Sequence, residues 1–387
     1  MKTALIVGAG IGGMAAAIAL KQQGWQPIII ERAKSRRTGG YFIGLQPAGR
    51  EAAEKLGVMA GITTRTPKRS ANWDILPDGS RLRVAGFADQ LTRPAVLLRG
   101  DAEEGLWQGI QTHGIEIWFD CSPVALENRG QQVWAKLNRE GQELEAEFDL
   151  VIGADGLRST VRRLAFGAHE EFMQPLGMMI CAYQLQNGIN GFAEQDGVMI
   201  CQKKRSLWVF PLEDHSPTAL FTYRTDDINA QFVEPADKTL LRVYQDMEQD
   251  GIINEALSDL RQSSDYLFDS VNMVKMPKWH NGRIVLLGDA AWCLTLYSGM
   301  GATAAMKGGY ELGKALAAQS DIPAALTTWE KIMRPFVHKH QLLVPLKSQL
   351  FVPANGLTSL LRRIVLRLLG IKMRKNKEKA IALKQKA

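Results

Sequence analysis

Short apolar runs alternate with helix-length stretches at the start of the chain. Residues 4–7 and 28–30 are apolar runs that end at Gly8 and Glu31. Between them, residues 14–23 are rich in Ala and Leu and close at Gly24, as a helix does. This order predicts a β-α-β unit and a parallel sheet, because strands joined through a helix run the same way. The pattern changes at residues 73–84, which alternate around Pro77-Asp78-Gly79 and predict a hairpin. Strand-like runs follow at 178–185, 198–202, 207–211 and 219–223, then a helical stretch at 239–261 and a buried strand at 283–287. Residues 302–318 predict a long helix, and 324–344 another, broken near Pro335.

Two sheets interleaved in sequence predict a discontinuous nucleotide domain with a second domain inserted into it. The boundaries expected are 1–72, 97–170 and 281–330 for the first, 73–96 and 171–280 for the substrate domain, and 331–387 for C-terminal helices. The fold class expected is α/β: a Rossmann-like domain, an inserted domain on a mainly antiparallel sheet, and C-terminal helices.

At 387 residues the chain has room for two cores, and its 46% apolar and 22% charged content is ordinary for a globular protein. Cys121, Cys181, Cys201 and Cys293 are scattered, without a CxxC pair or histidines at ligand spacing, which predicts a reduced, cytoplasmic protein with no metal site. Residues 4–20 carry no charge, but their glycines fall at loop positions and Lys21 stops them short of a span of about 20 residues. The net charge of +7 is uneven. From Arg362 onward ten basic residues face the single acid Glu378, a balance of +9 that leaves −2 for the rest. The body is near neutral, so nothing predicts nucleic-acid binding. Leu357, Leu360, Leu361, Ile364, Val365, Leu368 and Leu369 recur at helical spacing before this tail. Docking across the domains is expected for 357–369 and a solvated end after about Lys375; peripheral contact with an anionic membrane is the other reading.

The chemistry concentrates at glycines. In GAGIGG, residues 8–13, Gly8 permits a tight strand-to-helix turn, Gly10 lets a pyrophosphate approach, and Gly13 allows close packing, with Gly12 between them. The helix start supplies N–H donors and a positive dipole end to phosphates. Glu31, followed by Arg32, ends the next strand, where a carboxylate can accept bonds from ribose hydroxyls. Alone, this loop indicates only a dinucleotide.

Two later segments narrow it. GADGLRSTVR at 153–162 and GRIVLLGDAA at 282–291 resemble the mid-chain and late segments of the class A flavoprotein monooxygenases, the para-hydroxybenzoate hydroxylase group. The resemblance covers about residues 1–340. It implies a GR2-type FAD domain, with Asp289 on the ribityl chain, Asp155 near the pyrophosphate and the NADPH approach, and Arg99 of VLLRGD touching the FAD. The run GDAAWCLTLYSGMG, 288–301, is most similar to the branch of the tetracycline destructases, as is Gly39-Gly40 after Arg37. In Ser298-Gly299-Met300-Gly301, with Ala302 opening the next helix, backbone N–H groups can face the flavin pyrimidine edge. The chain departs from the family at Leu296, Trp292 and Thr303, where Pro, His and Asn are usual, so the flavin-facing turn is expected to differ.

Elsewhere the signals are weaker. Tyr183, Phe221 and Tyr223 on the second sheet, with Leu296, are candidate substrate contacts, although core packing is the commoner use of such aromatic residues. Paired acids such as Glu103-Glu104 read as solvated, and no acid/base group stands out as catalytic. The resemblance implies a monomeric, FAD-dependent monooxygenase that uses NADPH or NADH and O2, through a flavin hydroperoxide, to hydroxylate an aromatic or polyketide-like small molecule, tetracycline being the specific case. A membrane-associated flavin dehydrogenase or quinone-linked hydroxylase, and a flavoprotein that binds a small molecule without turnover, are the alternatives.

Overall fold

The computed structural model describes the chain except residues 37–38, 69, 87–91, 248–250 and 385–387, with backbone alone for 372–384. Four sheets are present among the described residues. Five parallel strands, Ile284–Leu286, Leu150–Gly153, Thr3–Val7, Gln26–Ile30 and Glu116–Trp118, lie side by side in that order, with the antiparallel His280–Asn281 at one edge. Thr3–Val7 and Leu150–Gly153 are almost wholly buried, as expected of central strands covered on both faces. Helix Ile11–Gln22 packs with Gly301–Ala318 so closely that a Cβ on Gly309 would lie 2.7 Å from the Ala16 amide nitrogen.

The seven-stranded second sheet runs Tyr266–Val274, Met173–Gln184, His215–Arg224, Arg205–Leu212, Gly197–Gln202, Asn72–Ile75, Arg81–Val84. It is antiparallel except where Gly197–Gln202 meets Asn72–Ile75. The hairpin at 73–84 is present. A three-stranded antiparallel sheet, Cys121–Arg129, Gln132–Arg139 and Gln142–Phe148, and the pair Phe42–Leu45 with Ala95–Leu98 were not read from the sequence.

Three helices differ from expectation. The stretch at 239–261 divides into Ala236–Tyr244 and Ile252–Gln262, the second starting after Gly251 at φ +76°. Pro335 does not break its helix, which runs Ile322–Leu342. Pro335 and Lys331, whose carbonyl loses its partner, are both exposed, so the unpaired carbonyl is not forced into the core. The last helix, Gly356–Lys384, continues past Lys375.

Candidate flavin site

The three glycine segments meet because their strands are neighbours. Val7 pairs with Gly153, and Gly153 with Leu286, so all three loops leave the carboxyl ends of adjacent parallel strands, where open α/β sheets bind ligands. Gly8, at φ +106°, touches the second segment: a Cβ there would fall 2.6 Å from the Ala154 carbonyl oxygen. A Cβ on Gly13 would lie 2.0 Å from the Gly8 oxygen, whereas one on Gly12 would make ordinary contact with Leu287 and Ala305 at 3.6 Å. At Gly10 the nearest atom would be Arg99 Nη2 at 3.9 Å. A position open in this way, at the start of a helix with no side-chain cap and no acid in its first turn, leaves its amides to an anion.

Glu31 is held by two backbone donors, Ala9 N–H at 3.0 Å and Ala33 N–H at 2.9 Å. Its carboxylate keeps further lone pairs for hydroxyls. Arg32 beside it is exposed, and Arg37 lies outside the described residues. Gly39 and Gly40 form a loop tied to the second sheet, where Gln184 Nε2 donates to the Gly40 carbonyl (2.8 Å) and Phe42 N–H to Thr218 Oγ1 (3.0 Å).

Tyr41, directly after this loop, was missed. Its carbonyl accepts the Arg99 N–H at 3.0 Å, and its hydroxyl feels Arg99, Asp289 and Glu103. Glu103, read as solvated, is buried and pairs with Arg99 at 2.9 Å. Asp289 follows Gly288 at φ +66° and is open to solvent, yet surrounding protein raises its carboxyl pKa through desolvation despite the Arg99 charge. Gly10, Tyr41 and Asp289 thus gather around Arg99, and Asp289 keeps an exposed surface there.

Asp155 does not face a ligand with its whole carboxylate. It accepts from Ser159 Oγ and from the Thr160 and Val161 amides, at 2.5, 2.6 and 3.1 Å, and so caps helix Thr160–Ala165. Arg162, fully buried, then donates to the Ala290 and Leu157 carbonyls at 2.9 and 2.7 Å. Asp155 thus orients the second segment, and Arg162 bolts it to the third.

The loop after Asp289 is closed upon itself. Thr295 adopts φ +60° and Gly299 φ +65°; Ser298 Oγ donates to the Thr295 carbonyl (3.0 Å) and accepts the Met300 N–H (3.1 Å). Lys347 Nζ donates to the Ser298 carbonyl at 2.7 Å from the helix Val344–Phe351. A Cβ on Gly301 would meet nothing within 4 Å, so this second uncapped helix start, continued by Ala302, also opens on free space. Two open glycine-led helix starts, a basic Arg99 and a ribose-type carboxylate fit a flavin dinucleotide.

The departures from the family pattern have separate fates. Trp292 points away from the site into a cluster with Trp279 and Trp329, ring centroids 4.6 and 5.8 Å away. Thr303 is buried and accepts the Gln46 N–H at 2.9 Å. Only Leu296 packs on the side of the site, with Tyr41, Phe210 and Tyr297.

Tyr183, Phe221 and Tyr223 require a correction. All three face the helices Ala236–Tyr244 and Ile252–Gln262, where Tyr183 Oη donates to the Ala256 carbonyl at 2.6 Å. Their strand neighbours Ala182, Leu220 and Thr222 point the other way, together with Trp208 and Phe210. Thr222 Oγ1 and Tyr297 Oη share a hydrogen bond of 2.6 Å, which joins that face to the loop beside Asp289.

Comparison with known proteins gives the family and the fold. The family model described as "FAD binding domain" matches residues 1–340. An uncharacterized protein of Mycobacterium tuberculosis is 30% identical over 365 residues, covering 89% of this chain and 93% of that protein. A flavin-dependent monooxygenase of Legionella longbeachae is 28% identical over 348 residues, 87% of this chain and 86% of its own length. Among solved structures, the tetracycline destructase Tet(55) shares the fold with a TM-score of 0.78 at 24% identity, covering 96% of this chain and 97% of that one. Klebsiella pneumoniae HpxO, complexed with FAD and uric acid, gives 0.75 at 20% identity over 95% and 92%. The chain therefore belongs to the FAD binding domain family.

Proposed function

We propose that the protein is an FAD-dependent monooxygenase that uses NADPH or NADH and O2 to place one oxygen atom on a small aromatic or polyketide-like molecule. The observation that carries this is the meeting of Gly10, Arg99, Tyr41 and Asp289 at the carboxyl ends of the parallel strands, beside the apolar side of the second sheet. The names of the Legionella relative and of the destructase structures support the reaction class and, more narrowly, a tetracycline.

When bound, FAD supplies the redox and oxygen chemistry. Gly10 and the amides of the first helix would receive the pyrophosphate, with Arg99 adding positive charge, and Glu31 would take the ribose hydroxyls. Asp289 would hold the ribityl chain. The amides opening helix Gly301–Ala318 would serve the pyrimidine edge, where an N-terminal dipole favours negative charge. Tyr41, Phe210 and Leu296, only partly buried on this side of the second sheet, would furnish an apolar wall that orients a flat substrate and excludes water. The cysteines are unpaired and buried, which supports a reducing compartment.

The test is NADPH and NADH consumption by the purified yellow protein over a panel of tetracyclines, phenols and quinones, with mass spectrometry. The expected result is oxidation stimulated by one class, with a product heavier by one oxygen atom. Stimulation without an oxygenated product would turn the reading to a dehydrogenase, and a colourless protein would remove it altogether.

A further inference from the structure

The helix Gly356–Lys384 docks with the wrong side for an ordinary surface helix. Ser359, Arg362, Leu366 and Gly370, three to four residues apart, form its buried side. Arg362 is 2% exposed; it pairs with the buried Asp74 of the hairpin at 2.8 Å and donates to the Leu350 carbonyl at 2.7 Å. Gly370 sits where a Cβ would be 3.2 Å from the Ala85 amide nitrogen. On the opposite side Leu357, Leu360, Leu361, Ile364, Leu368 and Ile371 are all exposed, Leu357 by 66% and Leu368 by 60%. The protein binds this helix through Arg362, Leu366 and two small residues and turns the other leucines outward. A large apolar stripe of this kind marks an interaction surface.

Charge decides what covers it. Arg363 and Arg367 lie on the same helix segment, and the sequence adds Lys372, Arg374, Lys375, Lys377 and Lys379 against Glu378 alone. A second copy of this helix offers no acid between residues 356 and 377 to meet that charge. An anionic surface has the complementary sign, and an apolar stripe flanked by lysine and arginine matches the headgroup–acyl boundary of a bilayer. At 1.5 Å per residue, residues 357–371 extend roughly 22 Å, short of the hydrocarbon thickness of about 30 Å. No helix among the described residues is long and apolar enough to cross a membrane.

We propose that the stripe Leu357, Leu360, Leu361, Ile364, Leu368 and Ile371 lies on the surface of an anionic lipid bilayer, held by the basic residues that follow it. This is independent of the reaction the site performs. The full-length, flavin-loaded protein is floated with vesicles of phosphatidylcholine alone and of phosphatidylcholine mixed with phosphatidylglycerol. Flotation with the mixed vesicles only, released by salt, is expected. Ile364→Glu/Leu368→Glu abolishes it while the flavin spectrum stays unchanged, since both side chains are already exposed. Arg367→Gln/Lys372→Gln weakens it about thirtyfold. The proposal is overturned if anionic vesicles carry no protein, or if both variants float like the parent. It is equally overturned if, without lipid, sedimentation velocity shows a dimer that Ile364→Glu/Leu368→Glu dissociates, for then a second copy covers the stripe.

Discussion

Gly10 and Gly13 stand three residues apart and respond oppositely to the same methyl group. At Gly13 it would meet the Gly8 oxygen at 2.0 Å, a backbone overlap with no side chain to yield, so Gly13→Ala is expected to destabilise the fold by more than about 3 kcal/mol. At Gly10 it would meet only Arg99 Nη2, at 3.9 Å, so Gly10→Ala keeps the melting temperature of the flavin-free protein and lowers FAD affinity about tenfold or more. Calorimetry and flavin titration on the two variants separate these effects. Such residues were legible because the loop needs glycine at each for its own reason, at Gly13 for close packing and at Gly10 for the approach of a ligand to the backbone. Tyr41 and Glu103 were not, since their place in the site depends on Gly39-Gly40 and the start of helix Arg99–Thr112 arriving together from distant sequence. Tyr183, Phe221 and Tyr223 went to the wrong face for a simpler reason. Alternation divides a strand into two sides, but here both are apolar, one against helices and one toward the site, so nothing local says which is which.

The last helix hangs on the pair Arg362–Asp74, in which burial outweighs the guanidinium and pushes the Asp74 carboxyl pKa up. Breaking a buried pair by removing one partner costs about 3–5 kcal/mol, whereas replacing both with apolar groups of similar size is nearly neutral. Arg362→Met or Asp74→Leu alone should therefore raise amide exchange across residues 356–371 by about a hundredfold or more. The double variant should return within about tenfold of the parent. Equal exchange in single and double variants would mean the helix is held by Leu366 and Gly370 instead. Helicity here was readable from the leucine spacing. Its orientation was not, because the spacing rule assigns leucines inward and the buried partner of Arg362 sits nearly three hundred residues earlier.

At the scale of the whole molecule, pH acts through groups that folding keeps neutral. Burial, aided by Lys347 and Lys339, pushes His340 down to about 4. Unfolded, it takes a proton near the ordinary histidine range, so between about pH 6.5 and pH 4 the unfolded chain binds more protons. The contribution is present above that window and lost as pH falls through it. Melting curves should show stability dropping from pH 7 to pH 5, with a shallower fall in His340→Gln. The architecture itself was largely visible in the sequence: the first β-α-β unit, the hairpin and the antiparallel runs all occur in order, because each has its own periodicity. Strand adjacency across the first sheet was hidden, since register between distant strands leaves no local mark. That adjacency carries a further consequence for how the chain comes into being. During synthesis Thr3–Val7 can pair with Gln26–Ile30 almost at once, but its other neighbour, Leu150–Gly153, emerges much later, and Ile284–Leu286 later still. At ribosomal speeds of about 5–20 residues per second, the nascent first strand keeps an open edge for on the order of ten seconds or more, and the nucleotide cradle has no floor until nearly three-quarters of the protein has been made.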